Sequence, residues 1–515
     1  MFTQKISDQL DSKGAPLWRQ DHTNLFHGIE SKGDSAMFKS SVSKLGSALE
    51  SNRLTVLPDS KQAPGNEMGR IKAAARAASA PGMISLGAGA PPEVYFPFES
   101  IQLQVSNAIG KAGDAGKDLS MLSLAKYDFQ PGINDYSLDV ALNYGQGSGS
   151  AQMLRFVTEH TELVHNPPYL DWACCMTVGS TSAWDSTLRI FCEKDDYIIV
   201  DKYSFSSALE TAWALGIKTL PVAMDDQGLL PDDLDKLLST WKPEKRNARK
   251  PFLLYMVPTG QNPTGATQSL ERRKAIYAVS RKHNLYIVED EPYYYLQLPS
   301  FNSLGSSYSE SKACELIPSY LSLDVDGRVL RLDSLSKVLA PGSRMGWVTA
   351  SEQVVEKFIR LNESSSQHPS GFSQAIIYKL LNHHWGHSGF FKWLANIQSE
   401  YAWRRDALLQ ACEKYLPKDI VSWVPSHAGM FQWIEINWKS HPTYKSGSGH
   451  QAIQDAIFAS AVEQKVFLTP GTCFWSDIDS KEDQMFFRAT YASASQGDLT
   501  EAVRRFANAI QCQFS

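Results

Sequence analysis

A lysine set between small hydroxyl residues is the most chemically suggestive feature of this sequence. Lys337 follows Ser334 and Ser336, and Arg344 comes seven positions later. A lysine amine can hold an aldehyde covalently, while hydroxyl groups and a guanidinium suit a phosphate. These residues favour a site for an aldehyde cofactor that carries a phosphate. One such match is weak evidence by itself, because most lysines are solvated surface charges.

A carboxylate and a tyrosine near a predicted strand end extend this site. Asp290 ends the apolar run Leu285–Asp290, which we predict to be a buried strand, and Tyr293 lies three residues further on. A carboxylate there can pair with a protonated pyridine nitrogen, and the tyrosine hydroxyl can bind a phenolate oxygen. Together with the lysine, this set predicts pyridoxal 5'-phosphate (PLP) as the cofactor. The alternative is that Asp290 only caps the next element and Tyr293 only packs.

A rigid loop carries a candidate amide ligand. The segment Pro258–Gly265 follows the predicted strand Phe252–Val257 and has proline and glycine on both sides of Asn262. Proline and glycine fix sharp loops, so the Asn262 amide is held where it can reach the same phenolate oxygen. The four residues from Asn262 to Gly265 could instead be an ordinary turn.

The residues Gly179, Ser180 and Thr181 lead from a strand-like segment into a predicted helix. Backbone N–H groups and hydroxyls at a helix N-terminus bind anions, which predicts a second part of the phosphate site. Simple N-capping of the helix by serine or threonine is the other interpretation.

Two further residues have side chains that suit this chemistry. Phe205 follows the predicted strand Tyr197–Asp201 and can stack on a pyridine ring, with Tyr203 as the alternative stacking residue. Arg488 lies in the apolar run Met485–Arg488, where a guanidinium needs an anionic partner. A substrate α-carboxylate would supply that partner through two parallel hydrogen bonds. A structural salt bridge is the alternative for Arg488.

The elements that must position these residues follow an alternating pattern. From about 150 to 350, short apolar runs alternate with amphipathic helices such as Gln152–Glu162. This pattern predicts an α/β fold with a mostly parallel central sheet flanked by helices. In such sheets ligands bind beyond the carboxyl ends of the strands. Further on, the predicted helix Phe390–Tyr415 and the strand-like run Met430–Ile436 indicate a smaller α+β domain.

Composition excludes several classes of protein. The chain has 515 residues, of which 43% are hydrophobic and 20% are charged, as in globular proteins. Its net charge of −5 implies no bulk attraction to nucleic acid or anionic membranes. No apolar run reaches the roughly 18–20 residues of a membrane span. The N-terminus lacks an apolar signal core, and Asp8 and Asp11 argue against a mitochondrial transit peptide. Seven scattered cysteines indicate reduced thiols, so we expect a cytoplasmic protein.

The motifs occur together and in a familiar order. Asn262–Gly265, Asp290 with Tyr293, Ser334–Lys337 with Arg344, and Arg488 resemble those of class I, fold-type I PLP-dependent aminotransferases. Within that family the chain resembles the fungal (yeast-type) aromatic amino acid aminotransferases and the kynurenine/2-aminoadipate aminotransferases. The resemblance covers roughly residues 80 to 510.

The resemblance implies a domain division and a role for each motif. It implies an N-terminal arm (1–75), an N-terminal part of the small domain with a substrate loop (76–145), a large PLP-binding domain (146–360) and a C-terminal part of the small domain (361–515). Lys337 would hold the cofactor and carry the substrate's α-proton. The remaining cofactor contacts would come from Asp290 on the pyridine nitrogen, Asn262 and Tyr293 on the phenolate oxygen, Phe205 on the ring, and Ser180, Thr181, Ser334, Ser336 and Arg344 on the phosphate.

Substrate and partner roles also follow from the resemblance. Arg488 and Asn262 would bind the substrate, Gly89 would lie over it, and no metal is required. Tyr144 would reach the phosphate of a neighbouring subunit, which implies a homodimer with active sites at the interface. Many relatives have tyrosine where this chain has Phe205, so stacking is kept and a hydroxyl contact is lost.

The implied reaction is a ping-pong transfer of the amino group from Phe, Tyr or Trp to a 2-oxo acid such as 2-oxoglutarate. Candidate residues around the substrate side chain are Tyr95, Phe96, Tyr144 and Phe474. Kynurenine and 2-aminoadipate remain open as amino donors, as does a PLP lyase or decarboxylase of the same fold. A PLP-binding transcription regulator is disfavoured, because residues 1–75 hold ten Lys/Arg against eight Asp/Glu and show no helix-turn-helix pattern.

Overall fold

A computed structural model describes residues 6–12, 14–18, 39, 84, 86–87, 89–107, 119–128, 136–301, 315–447, 449–477 and 483–515. The chain forms two compact units. Unit 1 comprises Met1–Lys194, Tyr286–Pro292 and Pro318–Leu394, and unit 2 comprises Asp195–Leu285, Tyr293–Ile317 and Ala395–Ser515. Most of the predicted arm, 1–75, lies outside the described residues, and the four-part domain division stays a prediction.

Strands occur along most of the described part of the chain. They are β1 (Ser100–Ser106), β2 (Leu119–Ala125), β3 (Trp172–Thr177), β4 (Tyr197–Asp201), β5 (Lys218–Val222), β6 (Met224–Asp225), β7 (Gly228–Leu229), β8 (Leu253–Met256), β9 (Tyr286–Asp290), β10 (Val329–Ser334), β11 (Gly346–Ser351), β12 (Val421–Ser422), β13 (Phe431–Ile436), β14 (Thr469–Pro470) and β15 (Met485–Thr490).

Helices alternate with these strands over much of the chain. The α-helices are α1 (Leu138–Ala141), α2 (Ala151–His165), α3 (Ser180–Phe191), α4 (Ser206–Ala214), α5 (Pro231–Ser239), α6 (Pro243–Arg246), α7 (Leu270–His283), α8 (Tyr320–Leu323), α9 (Glu352–Ser364), α10 (Gly371–Tyr378), α11 (Gly386–Tyr415), α12 (His450–Glu463) and α13 (Gln496–Phe514). Shorter helical turns occur at Glu93–Tyr95, Pro341–Ser343, Trp438–Ser440, Pro442–Ser446 and Gly471–Phe474, and Lys379–Trp385 is π-helical.

The helix ends are set by local side-chain chemistry. Ser150 Oγ accepts a hydrogen bond from Met153 N at 3.3 Å, and Ser269 Oγ accepts one from Arg272 N at 3.2 Å. These serines cap α2 and α7 by satisfying N–H groups that have no partner inside the helix. Asn166 ends α2 in the left-handed conformation, at φ 41°, which asparagine tolerates better than most residues.

In unit 1, four strands are hydrogen-bonded in the order β3-β11-β10-β9. The pairs β3/β11 and β10/β11 are antiparallel, and β9/β10 is parallel. Gly346 pairs with both Thr177 and Ser334, so the ends of β3 and β10 lie on either side of the start of β11. Asp290 pairs with Leu332 one strand further on. The polar residues at these strand ends are therefore neighbours.

The described residues of unit 2 contain three groups of strands, one of which is the short antiparallel pair β6/β7. The strands β8, β4 and β5 are parallel neighbours with β4 in the middle, while β12-β13-β15-β14 form an antiparallel sheet. Its core contains Ile434, Ile436 and Phe487, together with residues of α12 and α13. Arg488 pairs with Trp433 on one side and with Thr469 on the other.

Sequence patterning predicted these elements well. The predicted strands at 197–201, 252–257, 285–290 and 430–436, and the predicted helices at 152–162 and 390–415, are confirmed with shifts of a few residues at their ends. The α/β organisation is also confirmed, although β11 makes the sheet mixed. Among the helices that the structure describes, none is both long and apolar enough to cross a membrane.

Candidate active site

Lys337 lies in a tight turn directly after β10. Leu335 N donates to Met345 O at 3.0 Å, and Leu339 N donates to Leu335 O at 2.8 Å, which closes the turn around the lysine. Ser334, the last residue of β10, accepts a hydrogen bond at Oγ from Ser336 N at 3.1 Å. The half-buried Lys337 is thus presented by a turn that is fixed at both ends.

Arg344 lies across the loop between β3 and α3. Its Nη2 donates to Val178 O at 3.1 Å and its Nη1 donates to Pro341 O at 3.0 Å. The backbone of Arg344 has φ 51°, in the left-handed region that non-glycine residues seldom adopt. Gly179 has φ 81°, and a Cβ there would lie 2.6 Å from Arg344 Nη2. The backbone strain at Arg344 indicates that the surrounding structure requires this conformation, and such strain is often found at functional sites.

Two buried hydroxyls next to this loop suit an anion. Ser180 Oγ, at the start of α3, and Thr177 Oγ1, at the end of β3, are buried and have no hydrogen-bond partner among the described residues. A buried polar group without a partner costs about 1–3 kcal/mol. A phosphate at the N-terminus of the twelve-residue helix α3 would satisfy both hydroxyls and use the free N–H groups. Thr181 is exposed in the same turn.

Asp290 is buried at the end of β9. Next to it, Glu291 N donates to Leu332 O at 3.0 Å, which continues the pairing with β10. Side chains alternate along a strand, so the preceding Glu289 points to the other face. There it lies 3.3 Å from Nη1 of the buried Arg331, and its Oε1 accepts from Tyr320 N at 2.8 Å. Asp290 therefore points away from this buried ion pair.

In unit 2, Arg488 binds Asn262 directly. Arg488 Nη1 donates to Asn262 Oδ1 at 2.7 Å, and Nη2 donates to Thr469 Oγ1 at 3.3 Å. Asn262 is buried and precedes a cis peptide bond to Pro263. These contacts hold the guanidinium in one orientation, as two-point recognition of a carboxylate requires.

Two aromatic rings lie close to that guanidinium. The Arg488 Cζ atom is 4.4 Å from the ring centroid of Phe431 and 4.7 Å from that of Phe474. Burial lowers the pKa of Arg488 from its usual value, but a guanidinium still stays charged in proteins. Tyr293 packs edge-on against Phe431, with ring centroids 5.8 Å apart. The two phenylalanine rings therefore stabilise the cation through cation–π contacts.

The two candidate stacking residues differ in their surroundings. Tyr203 is buried with its ring 5.4 Å from Trp433 and 5.5 Å from Phe486, so it is a packing residue of unit 2. Phe205, immediately before α4, is only half-buried. This contrast favours Phe205 for contact with a ligand.

Other predicted site residues lie at the surface. Tyr144 is 73% exposed and Tyr95 is 76% exposed. A Cβ on Gly89 would meet no atom within 4 Å among the described residues. Their roles stay predictions.

Sequence reasoning missed two contributors to the site. Phe431 and Thr469 contact Arg488 but lie in motifs with no chemical signature of their own. The only signal in the sequence is the Thr-Pro-Gly turn at 469–471 and the aromatic start of a predicted strand. Pairing of β13 and β14 with β15 brings both residues to Arg488.

The chain matches a known class of enzyme. The family model described as aminotransferase class I and II matches residues 146–506. The chain belongs to the class I and II aminotransferases. The predicted resemblance and the predicted fold-type I architecture are thereby confirmed.

Individual relatives agree with this family. The chain is 42% identical over 441 residues to an aromatic amino acid aminotransferase of Schizosaccharomyces pombe, which covers 84% of this chain and 92% of the relative. It is 31% identical over 439 residues to a bovine mitochondrial kynurenine/alpha-aminoadipate aminotransferase, with 83% and 92% covered. The crystal structure of the aminotransferase Aro8 from Candida albicans superposes with a TM-score of 0.82 at 38% identity, covering 88% of this chain and 98% of that one.

Proposed function

We propose that this aminotransferase uses PLP to move the amino group of phenylalanine, tyrosine or tryptophan to a 2-oxo acid such as 2-oxoglutarate. The observation that supports the substrate class is that the Arg488 guanidinium lies next to the rings of Phe431 and Phe474. A carboxylate bound at this guanidinium has phenyl rings beside it, and aromatic side chains pack favourably on such rings. The name of the fission yeast relative supports the same class.

The residues of unit 1 fit PLP. The orphaned hydroxyls of Thr177 and Ser180 and the N-terminus of α3 suit its phosphate. Arg344 lies over the same loop, and Lys337 is on the adjoining turn. Bound PLP supplies a ring that accepts electrons and so weakens the bond between the substrate α-carbon and its hydrogen.

Each side chain has a defined task in the proposed reaction. The other phosphate ligands are Thr181, Ser334 and Ser336. The Asp290 carboxylate keeps the ring nitrogen protonated, because a negative charge stabilises the cation. Asn262 and Tyr293 bind the phenolate oxygen, and Phe205 stacks on the ring.

Lys337 and Arg488 act on the substrate. The Lys337 amine holds the cofactor at rest and then takes the proton from the substrate α-carbon as a general base. Arg488 binds the α-carboxylate and so sets the orientation of the α-carbon. An amino acid and a 2-oxo acid use this set in turn, which is a ping-pong scheme.

We also propose a homodimer in the cytoplasm. Tyr144 is 73% exposed, which supports a role for its hydroxyl at the phosphate of a second copy rather than in its own chain. Gly89 would lie over the substrate. Analytical ultracentrifugation of wild type tests the homodimer. Measurement of phosphate-site occupancy in Tyr144→Phe tests the role of the Tyr144 hydroxyl.

Steady-state rates with 2-oxoglutarate and each of five donors (phenylalanine, tyrosine, tryptophan, kynurenine and 2-aminoadipate) test the substrate class. We expect the three aromatic amino acids to give the highest kcat/KM. A preference for 2-aminoadipate over phenylalanine would overturn the aromatic assignment. The bovine relative's name supports kynurenine or 2-aminoadipate as the second candidate. Stoichiometric 2-oxo acid and glutamate, rather than ammonia or CO₂, separate transfer from lyase or decarboxylase chemistry.

A further inference from the structure

The buried amide of Gln261 connects two segments that carry proposed site residues. Its Nε2 donates to Tyr203 O at 2.6 Å and to Asp201 Oδ2 at 3.3 Å. Its Oε1 accepts from Thr264 N at 2.9 Å and from Thr264 Oγ1 at 2.7 Å. One side chain thus joins the end of β4 to the loop that contains Asn262.

A third segment is attached to the same strand end. Ser476 Oγ donates to Asp201 O at 2.9 Å, and Ser204 N donates to Phe474 O at 2.9 Å. Phe474 is one of the two rings beside Arg488. The end of β4 is therefore hydrogen-bonded both to the Asn262 loop and to the segment that carries this ring.

The hydrogen bonds of Gln261 form only when its NH₂ group faces Tyr203 O and its oxygen faces Thr264 N. The two ends of a glutamine amide have almost the same shape but opposite hydrogen-bonding character. A flipped amide would place its oxygen against Tyr203 O and its NH₂ group against Thr264 N–H. Tyr203 O can only accept and Thr264 N–H can only donate, so these two groups select the observed direction, in which Asp201 Oδ2 is a second acceptor for the NH₂ group.

We propose that Asp201 and Gln261 are positioning residues for the substrate carboxylate site. Asp201 accepts a second hydrogen bond from the Gln261 amide and so helps to hold it, and that amide holds the loop from which Asn262 accepts the 2.7 Å hydrogen bond of Arg488. The guanidinium then keeps the orientation that a carboxylate needs. This inference rests on the proposed role of Arg488 in binding the substrate α-carboxylate.

The test compares two buried glutamines of the same unit. Gln261→Met removes the four hydrogen bonds of the amide and keeps the side-chain length. Gln268→Met is the matched control, because Gln268 is equally buried and its amide donates to Met256 Sδ at 3.6 Å, a contact with β8. Thermal unfolding of both holoenzymes reports any common loss of stability.

Binding of carboxylates to the holoenzyme is the decisive measurement. We expect dissociation constants for 3-phenylpropionate and 2-oxoglutarate, measured by calorimetry, to rise about tenfold in Gln261→Met and less than about threefold in Gln268→Met, since lost orientation of a charged hydrogen bond has this order of effect. KM for phenylalanine should rise more than kcat falls. Equal dissociation constants in the two variants overturn the inference.

Variants of Asp201 separate hydrogen bonding from packing. Asp201→Asn keeps an acceptor oxygen for Gln261 and should bind both probes within about threefold of wild type. Asp201→Leu fills the space without an acceptor, so its dissociation constants for both probes should rise as they do in Gln261→Met. Weak binding in Asp201→Asn as well would contradict the assigned role.

The inference and the proposed function can fail separately. If wild type binds 2-oxoglutarate but not 3-phenylpropionate, the aromatic substrate class is wrong, and the 2-oxoglutarate measurements still decide the role of Gln261. If wild type binds neither, the carboxylate role of Arg488 and the inference built on it are both wrong.

Discussion

The guanidinium of Arg488 donates to Asn262 Oδ1 at 2.7 Å, although 226 positions separate the two residues in the chain. Nη2 of Arg488 is also 3.3 Å from Thr469 Oγ1, and its guanidinium lies next to the rings of Phe431 and Phe474. Its orientation is therefore set before a substrate arrives. An arginine held in this way can present two parallel N–H groups to a carboxylate, which a lysine ammonium cannot do.

Arg488→Lys should reduce kcat/KM for phenylalanine about 100-fold. The charge remains, but the two parallel hydrogen bonds to the substrate carboxylate and the contact with Asn262 are lost. Steady-state kinetics with phenylalanine and 2-oxoglutarate provide the measurement. Arg504→Lys is the control, since Arg504 forms an exposed pair with Glu501 at 2.7 Å and such pairs contribute little. Similar kinetics in the two variants would argue against a carboxylate at Arg488.

Lys337→Ala should abolish transamination and the visible absorbance of the lysine-bound cofactor, because both the covalent attachment and the α-proton base are removed. The absorbance spectrum of the purified holoenzyme and a single-turnover assay check the two losses independently. Lys236→Ala, on the exposed face of α5, should change neither. Retained transamination in Lys337→Ala would falsify the assignment.

Gly179→Ala should weaken PLP binding about tenfold. Alanine is strained at φ 81°, and its Cβ would approach Arg344 Nη2 to 2.6 Å, so the guanidinium must move away from the loop between β3 and α3. Reconstitution of the apoenzyme with PLP, followed by fluorescence, gives the dissociation constant.

Gly342→Ala is a close control for that substitution. Gly342 lies two residues before Arg344, and a Cβ there would meet no atom within 4 Å among the described residues. Its PLP affinity should match wild type. If Gly179→Ala binds PLP as tightly as Gly342→Ala, PLP binding does not depend on the position of the Arg344 guanidinium next to Gly179.

Local patterns explain how candidate site residues could be named from the sequence. Asp290 ends a short apolar run and Asn262 follows another, each typical of a buried strand, and ligands bind at the carboxyl ends of such strands. Lys337 is identified by its spacing from Ser334, Ser336 and Arg344. Phe431 and Thr469 could not be found in this way. Their contact with Arg488 depends on strand register between segments separated by 57 and 19 positions, which no local pattern encodes.

The same limit applies to Asp201 and Gln261. Local pattern identifies Asp201 only as the end of a strand and Gln261 only as part of a turn. Their hydrogen bond joins residues 60 positions apart and becomes visible only when the loop after β8 lies beside the end of β4. Both residues are buried and polar, and buried polar groups are determined by partners that are distant in sequence.

The stability of the protein should also depend on Asp201 in a defined pH window. Burial raises the pKa of Asp201 from its ordinary value of 3.8 to about 7, although the hydrogen bond from Gln261 opposes this rise. The folded chain therefore holds a proton at Asp201 that the unfolded chain has already released between these values. The contribution of this group to stability is full below about pH 4 and is lost as the pH rises towards 7.

Asp201→Asn removes this titration and keeps the shape of the side chain. The free energy of unfolding of the variant, minus that of wild type, should therefore become more positive from about pH 4 to pH 7, by at most roughly 1.4 kcal/mol per pH unit. Urea unfolding of the two holoenzymes at several pH values gives this difference. A difference that stays constant over the window would show that Asp201 is already ionised at low pH in the folded protein, and its burial would then have to be offset by a cation.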